Sequence, residues 1–233
     1  MPTTAVSLVI TGIMAYLWGS LPSGYWMGIL LRGREFDIRQ HGSHKIGTTN
    51  VQRTLGTFPA LIVLILDVSK GIGPALLATH VPSFQGGGWG ILVAGLAALL
   101  GHRFPIFIRF RGGRGVMTAV GAVLIISPPA MLIAAIVGLP VLAISRYVSL
   151  CSLVGCLTVF VCGITFYIIG ITHPGFVGQV TLPQMLYMVI ATTLVAIFHS
   201  DNISRLLKGT ERKLSQKSST NPGIHGIKSQ SQL

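Results

Sequence analysis

Apolar residues gather into seven stretches along the chain, at about 5–31, 56–80, 88–109, 116–127, 130–144, 147–170 and 183–199, with short polar connections between them. A helix needs roughly 20 residues to cross the hydrocarbon of a bilayer, so most stretches have the length of a membrane span, and the fourth and fifth are short. Pro128 and Pro129 divide those two, and the pair lies too near the middle of one long apolar run for a single straight helix. The pattern predicts two short or tilted spans joined by a tight turn, within an all-α polytopic bundle of about seven spans. The first stretch has no basic leading region and runs on through Trp18 to Leu31, which fits a permanent span better than a cleaved signal peptide.

Basic residues set the expected orientation. With the N-terminus outside and seven crossings, the inside segments hold Arg32, Arg34, Arg39, Lys45 and Arg53, then Arg103, Arg109, Arg111 and Arg114, then Arg146, then Arg205 onward. Lys70 alone falls within a span, and the outside connections carry no Lys or Arg. Six crossings would put Arg146 or the basic tail on the wrong side, so the positive-inside rule favours seven, with a cytoplasmic C-terminus. Residues 1–214 form one expected transmembrane domain. Residues 215–233, rich in Ser, Gln, Lys and Gly, have little to bury and are expected to be a disordered polar tail.

Composition agrees. Half of the 233 residues are apolar and only 9% are charged, which is membrane-protein usage. The net charge of +12 would suggest nucleic acid in a soluble protein, but in such an apolar chain it reports membrane orientation instead. Cys151, Cys156 and Cys162 lie in one apolar stretch without CxxC spacing and read as small helix residues, not as ligands or a disulfide. With five acidic residues in all, a two-carboxylate metal or glycosidase site is not expected.

Five polar segments interrupt the apolar pattern. The first is "DIRQHGSHKIGTTNVQR", from Asp37 to Arg53, which follows the "GSLPSG" that interrupts the opening stretch. Asp67 and Lys70, three residues apart within a span, form the second; "GHRFPIFIRFRGGRGVMT", from Gly101 to Thr118, is the third. Arg146 and Ser149 are the fourth, and His199, Asn202 and Arg205, spaced to share one helix face, are the fifth. Glycine lets backbone N–H groups approach an anion, and "RGGRG" places two guanidinium groups beside such backbone. Gly42 to Gly47 has the GxxxxG spacing of a P-loop, but Thr48 stands where the lysine belongs and no strand precedes it, so a nucleotide loop is excluded. Each basic loop has a plainer reading as an orientation signal at lipid headgroups. Asp67 with Lys70 has one as a structural ion pair, and His199 one as an interfacial histidine.

In order and spacing, "GSLPSG", "DIRQHGSHKIGTTNVQRTLG", "DVSKG", "GHRFPIFIRFRGGRGV", "RYVSL" and "HSDNISRLLKGTE" resemble the bacterial acyl-phosphate-dependent glycerol-3-phosphate acyltransferases over about residues 8–214. The resemblance implies a multi-pass enzyme of the bacterial inner membrane with its motifs at the cytoplasmic face. Such an enzyme moves a fatty acyl group from acyl phosphate to the sn-1 hydroxyl of glycerol 3-phosphate, giving lysophosphatidic acid and phosphate. It implies neither acyl-CoA nor a metal or other cofactor. The partners it implies are glycerol 3-phosphate, a long-chain acyl phosphate and membrane lipid, with no nucleic acid. Two departures stand out: His44 and Lys45 replace the usual Gly-Asn pair, with Thr48 in place of Ala, and Arg111 and Arg114 replace lysines of the glycine loop.

On this resemblance Ser43, Arg53 and Arg114 are expected to hold the glycerol 3-phosphate phosphate, with Thr49 and Asn50 shaping the loop and Arg111, Gly112 and Gly113 completing the phosphate-binding wall. Ser149, His199 and Asn202 would position the acyl phosphate or the attacking hydroxyl, and Lys70 and Arg205 would contribute charge. The hydroxyl proton would pass to an oxygen of the acyl phosphate itself, with His102 and His199 as the protein alternatives. A polytopic transporter or binding protein for an anionic phospholipid is the competing class. The polar groups gathered on one side of the membrane speak against it.

Overall fold

The computed structural model describes residues 3–176 and 178–214; the polar tail expected from residue 215 lies outside them. Eleven α-helices and three short 3-10 turns occur among the described residues, and no strand does. The helices are α1 Thr4–Gly19, α2 Ser23–Arg32, α3 Thr48–Leu55, α4 Thr57–His80, α5 Pro82–Gln85, α6 Gly90–Arg103, α7 Val116–Ile126, α8 Pro128–Ser145, α9 Val148–Thr172, α10 Leu182–Phe198 and α11 Ser200–Leu207.

Among the described residues, five helical segments are long and apolar enough to cross a membrane: α1 with α2, α4, α6 with the turn after it, α8 and α9. A sixth follows if α10 and α11, bent by 59° at His199, count as one broken span. The turn at Pro128 is present, since α7 stops at Ile126 and α8 starts on the proline, where the missing N–H costs nothing. α7 is short, as its apolar stretch predicts. Its 11 residues rise only roughly 16 Å, about half the hydrocarbon thickness. α6 also ends early, at Arg103, because Pro105 disfavours helix at Phe104.

With lipid outside, close backbone contact is what holds such helices together, and small residues supply it. A Cβ on Gly19 would lie 2.2 Å from the Ala98 carbonyl oxygen, and one on Gly101 would lie 2.3 Å from that of Tyr16, so α1 and α6 touch through glycine on both sides. α4 and α7 do the same through Gly71 against the Thr118 carbonyl and Gly121 against that of Val68. The buried centre is accordingly rich in alanine, including Ala15, Ala75, Ala94, Ala98 and Ala122. Large side chains such as Val9, Ile13, Ile65, Ile136 and Leu157 point outward. Buried hydroxyls find backbone acceptors: Thr11 donates to the Ser7 and Phe84 carbonyls and Ser7 to that of Ser83.

Candidate functional site

The loop between α2 and α3 is built around one side chain. Asn50, in the first turn of α3 and 1% exposed, places its Nδ2 within 3.2 Å of the Ile38, His41 and Lys45 carbonyls. Its Oδ1 accepts the Ser43 N–H at 2.8 Å. Gly42 must be glycine there: its φ is +59°, and a Cβ would lie 2.1 Å from that same oxygen. Asp37 caps the 3-10 turn through the Arg39 N–H and pairs with the Arg39 guanidinium at 2.8 Å, while Arg39 also donates to the Ile108 carbonyl. "GSLPSG" has a role in the same packing. A Cβ on Gly24 would fall 1.9 Å from the Ile46 carbonyl oxygen, so the glycine lets the loop press onto α2.

The glycine-rich segment after α6 folds back on it. Gly112 and Gly113 donate their N–H groups to the Arg103 and His102 carbonyls, and a Cβ on Gly113 would meet His102 Nε2 at 2.1 Å. Beneath lies a buried polar cluster. Asp67 accepts from Lys70 at 2.5 Å and from the Ser23 hydroxyl at 3.1 Å, and His102 Nδ1 stands 3.7 Å away.

The third wall comes from the end of the chain. Glu211 accepts from Ser149 Oγ at 2.9 Å, Asn202 Nδ2 at 2.6 Å and Arg205 Nε at 2.7 Å. Burial pushes its carboxyl up, but these hydrogen bonds and the Arg205 charge outweigh burial and hold it below its ordinary value. The residues beyond it form a strap. Arg53 donates to the Arg212 and Lys213 carbonyls, Arg212 donates to that of Gly42, and the Leu214 N–H donates to that of Arg146. Arg114 pairs with Asp201 at 2.8 Å, and Arg205 shares the same carboxylate at 3.2 Å.

These walls enclose a cavity of about 660 Å³. One end is polar and bears Ser43, Thr49, Asn50, Arg53, His102, Arg114, Ser149, His199, Asn202 and Arg205, all candidates from the sequence. The other end is apolar and is walled by α7, α8 and α9, with Val120, Val123, Ala135, Leu139, Leu142, Gly155 and Val159 on it. Lys70, Arg111, Gly112 and Gly113 are absent from this wall. Lys70 is buried against Asp67, the two glycines lie behind His102, and Arg111 is exposed on the outer surface. Glu211 and Lys45 were not among the sequence candidates yet line the cavity. Glu211 was visible only as an acidic residue closing the last motif, and Lys45 only as a departure from the usual loop.

Five lining residues, Thr48, Arg53, His102, Arg114 and Asn202, carry a buried polar atom without a partner among the described residues. Such atoms are costly unless a ligand or water meets them. The hydroxyl, amide and guanidinium groups suit a phosphate or another oxyanion, and the apolar end suits a hydrocarbon chain. No group of three His, Cys, Asp or Glu able to hold a metal occurs among the described residues.

The family described as glycerol-3-phosphate acyltransferase matches residues 9–209. The chain belongs to that family. A glycerol-3-phosphate acyltransferase of Desulforamulus reducens is 40% identical over 216 residues, covering 91% of this chain and 98% of its own. One from Moorella thermoacetica is 40% identical over 206 residues, covering 88% and 97%. A crystal structure of PlsY, an integral membrane glycerol 3-phosphate acyltransferase in its glycerol 3-phosphate form, is 32% identical with a TM-score of 0.73, covering 89% of this chain and 95% of that one. Its lysophosphatidic acid form gives a TM-score of 0.72 at the same identity and coverage. As a member of the glycerol-3-phosphate acyltransferase family, this multi-pass membrane protein acylates glycerol 3-phosphate in phospholipid synthesis.

Proposed function

We propose that the donor is a long-chain acyl phosphate and that the acyl group goes to the sn-1 hydroxyl, giving lysophosphatidic acid. The observation that carries this reading is one cavity whose polar, cationic end runs on into an apolar groove walled by α7, α8 and α9. A phosphate at the junction and a hydrocarbon chain in the groove fill both halves. The nucleotide and pantetheine arm of acyl-CoA would have to extend outside, past the strap at residues 211–214.

Ser43, Arg53 and Arg114 hold the glycerol phosphate at the loop end, on the frame that Asn50 and Thr49 maintain. Ser149, His199 and Asn202, gathered near Glu211 and at the mouth of the groove, orient the acyl phosphate against the acceptor hydroxyl. His199 Nδ1 lies 2.8 Å from the Val195 carbonyl. A carbonyl only accepts, so Nδ1 carries the hydrogen and Nε2 remains the acceptor. Lys70 and Arg205 act through carboxylates: Lys70 neutralises Asp67, and Arg205 fixes Asp201 and Glu211.

The reaction asks for little beyond placement, because acyl phosphate is already activated. The sn-1 oxygen adds to the acyl carbonyl carbon, the bond from that carbon to the phosphate oxygen breaks, and phosphate leaves with the bonding pair. The hydroxyl proton passes to a phosphate oxygen, with His199 or His102 as the protein acceptors. In this reading the polar end faces the cytoplasm of a bacterial inner membrane, because the segments that build it carry nearly all the Lys and Arg.

Purified protein in detergent, given radiolabelled glycerol 3-phosphate with palmitoyl phosphate or with palmitoyl-CoA, tests the donor. Lysophosphatidic acid from palmitoyl phosphate alone is the expected result. Product from palmitoyl-CoA alone overturns the donor assignment.

A further inference from the structure

Among the described residues, five cationic side chains line the cavity: Lys45, Arg53, Arg114, Arg205 and Arg212. Four are engaged. Arg114 and Arg205 pair with carboxylates, and Arg53 and Arg212 donate to backbone carbonyls. Among the described residues, no carboxylate lies within ion-pair distance of the Lys45 ammonium, and no hydrogen bond from it occurs.

Its backbone is nonetheless fixed. His44 immediately before it takes the left-handed conformation, with φ 57°, while His44 Nδ1 sits 3.0 Å from the Arg39 carbonyl. The Lys45 carbonyl is held by Asn50, and Ile46 immediately after it is 1% exposed in the apolar cluster with Val51 and Met27. A lysine pinned at its own carbonyl and through both neighbours presents its side chain to the cavity, two residues from Ser43. The electrostatic setting is unfavourable to a lone cation. Burial first, then the Arg103 and Arg114 charges, lower its pKa, and Asp201 only partly opposes them. An anion arriving beside Lys45 reverses that cost.

We propose that Lys45 is a specificity-determining contact for the acceptor, its ammonium donating to the phosphate of glycerol 3-phosphate beside Ser43 and Arg53. This rests on the reading of the loop end of the cavity as the acceptor site. The acceptor is favoured over the acyl phosphate because Lys45 belongs to the Gly42–Thr49 loop, whereas Ser149, at the mouth of the apolar groove, lies on another wall. A contact of this kind sets affinity for the acceptor and leaves the rate of the bond exchange nearly untouched.

Calorimetry of glycerol 3-phosphate binding, without donor, tests this apart from the chemistry, with initial-rate kinetics alongside. For Lys45→Gln, the expected result is a Kd and a KM for glycerol 3-phosphate raised about tenfold. The kcat and the KM for palmitoyl phosphate stay within about twofold, and Lys45→Arg recovers most of the loss. A melting curve confirms that each variant is folded, and Lys45→Met takes the place of Lys45→Gln if the latter is not. Unchanged acceptor affinity in a folded, uncharged variant overturns the proposal, as does a fall in kcat at constant Kd. If the wild type binds glycerol 3-phosphate but transfers from neither donor, the donor reading fails while the Lys45 comparison still decides. If the wild type binds none, the acceptor site and this proposal fall together.

Discussion

Residue 44 needs a left-handed backbone, and this chain meets the need with histidine, a residue that tolerates φ above zero better than most but less well than glycine. His44→Gly is expected to keep the fold, changing stability by no more than about 1 kcal/mol. His44→Val, β-branched at a position it cannot adopt without strain, is expected to lose more than about 1 kcal/mol. Melting temperatures of the two variants in the same detergent check the ordering, and equal values would mean that the loop relaxes freely. Asn50 was legible as a loop-shaping residue through the family resemblance alone, and its hydrogen bonds to the Ile38, His41 and Lys45 carbonyls supply the physical reason. The "RGGRG" glycines were not legible in their actual role. Their composition says anion nest, whereas their place is set by His102, which lies close only once α6 and the following segment fold together.

At the scale of elements, the apolar stretches located the long apolar helices, most of them to within a few residues, because burial in a membrane demands one long hydrophobic run per span, while α3, α5 and α11 fall outside the stretches. What they could not show is depth. α7 is an apolar helix of 11 residues, held against α4 by the reciprocal Gly71 and Gly121 contacts, and only the shortness of its stretch distinguishes it from a span. Gly121→Leu is expected to force α4 and α7 apart, since even a Cβ would stand 2.1 Å from the Val68 carbonyl oxygen. A loss of several kcal/mol follows from overpacking at a backbone contact, and a melting temperature equal to that of the wild type would contradict the packing described.

The strap after α11 depends on Glu211, and its charge gives a pH signature. Because the folded carboxyl sits below its ordinary value of 4.5, its stabilisation is complete above that pH and is lost as pH falls through the folded value. The wild type is expected to lose melting temperature below pH 4.5 more steeply than Glu211→Gln, which is already weakened at neutral pH. Parallel curves would show that the carboxylate is not what holds the strap. Nothing in the spacing of polar residues points to this hub, because its three donors come from α9 and α11 and meet only in the folded molecule.

For the whole molecule, the decisive feature is that a polar pocket and an apolar groove walled by α7, α8 and α9 are one space. Gly155 shows where that space can be altered. It lines the cavity, and a Cβ there would meet nothing within 4 Å, so a larger residue fills the groove without disturbing the fold and improves helix propensity in α9. Gly155→Leu is expected to raise the KM for palmitoyl phosphate about tenfold relative to a shorter acyl phosphate, because several methylenes of the longer chain no longer find room in the groove, with the KM for glycerol 3-phosphate unchanged. Initial rates with donors of two chain lengths read this directly, and an unchanged preference would place the chain elsewhere. The class of fold was legible in the sequence, and ten of the fourteen candidate residues line the cavity because they are the polar exceptions in an apolar chain. The joining of pocket to groove was not legible, because it depends on which faces of α7, α8 and α9 turn inward.

Phosphorus NMR of a reaction containing the purified protein, glycerol 3-phosphate and palmitoyl phosphate follows every phosphorus atom at once. The expected result is loss of the acyl phosphate signal matched one for one by inorganic phosphate and lysophosphatidic acid, with no product when palmitoyl-CoA replaces the donor. Acyl phosphate that persists while lysophosphatidic acid forms only from palmitoyl-CoA would contradict the proposed reaction.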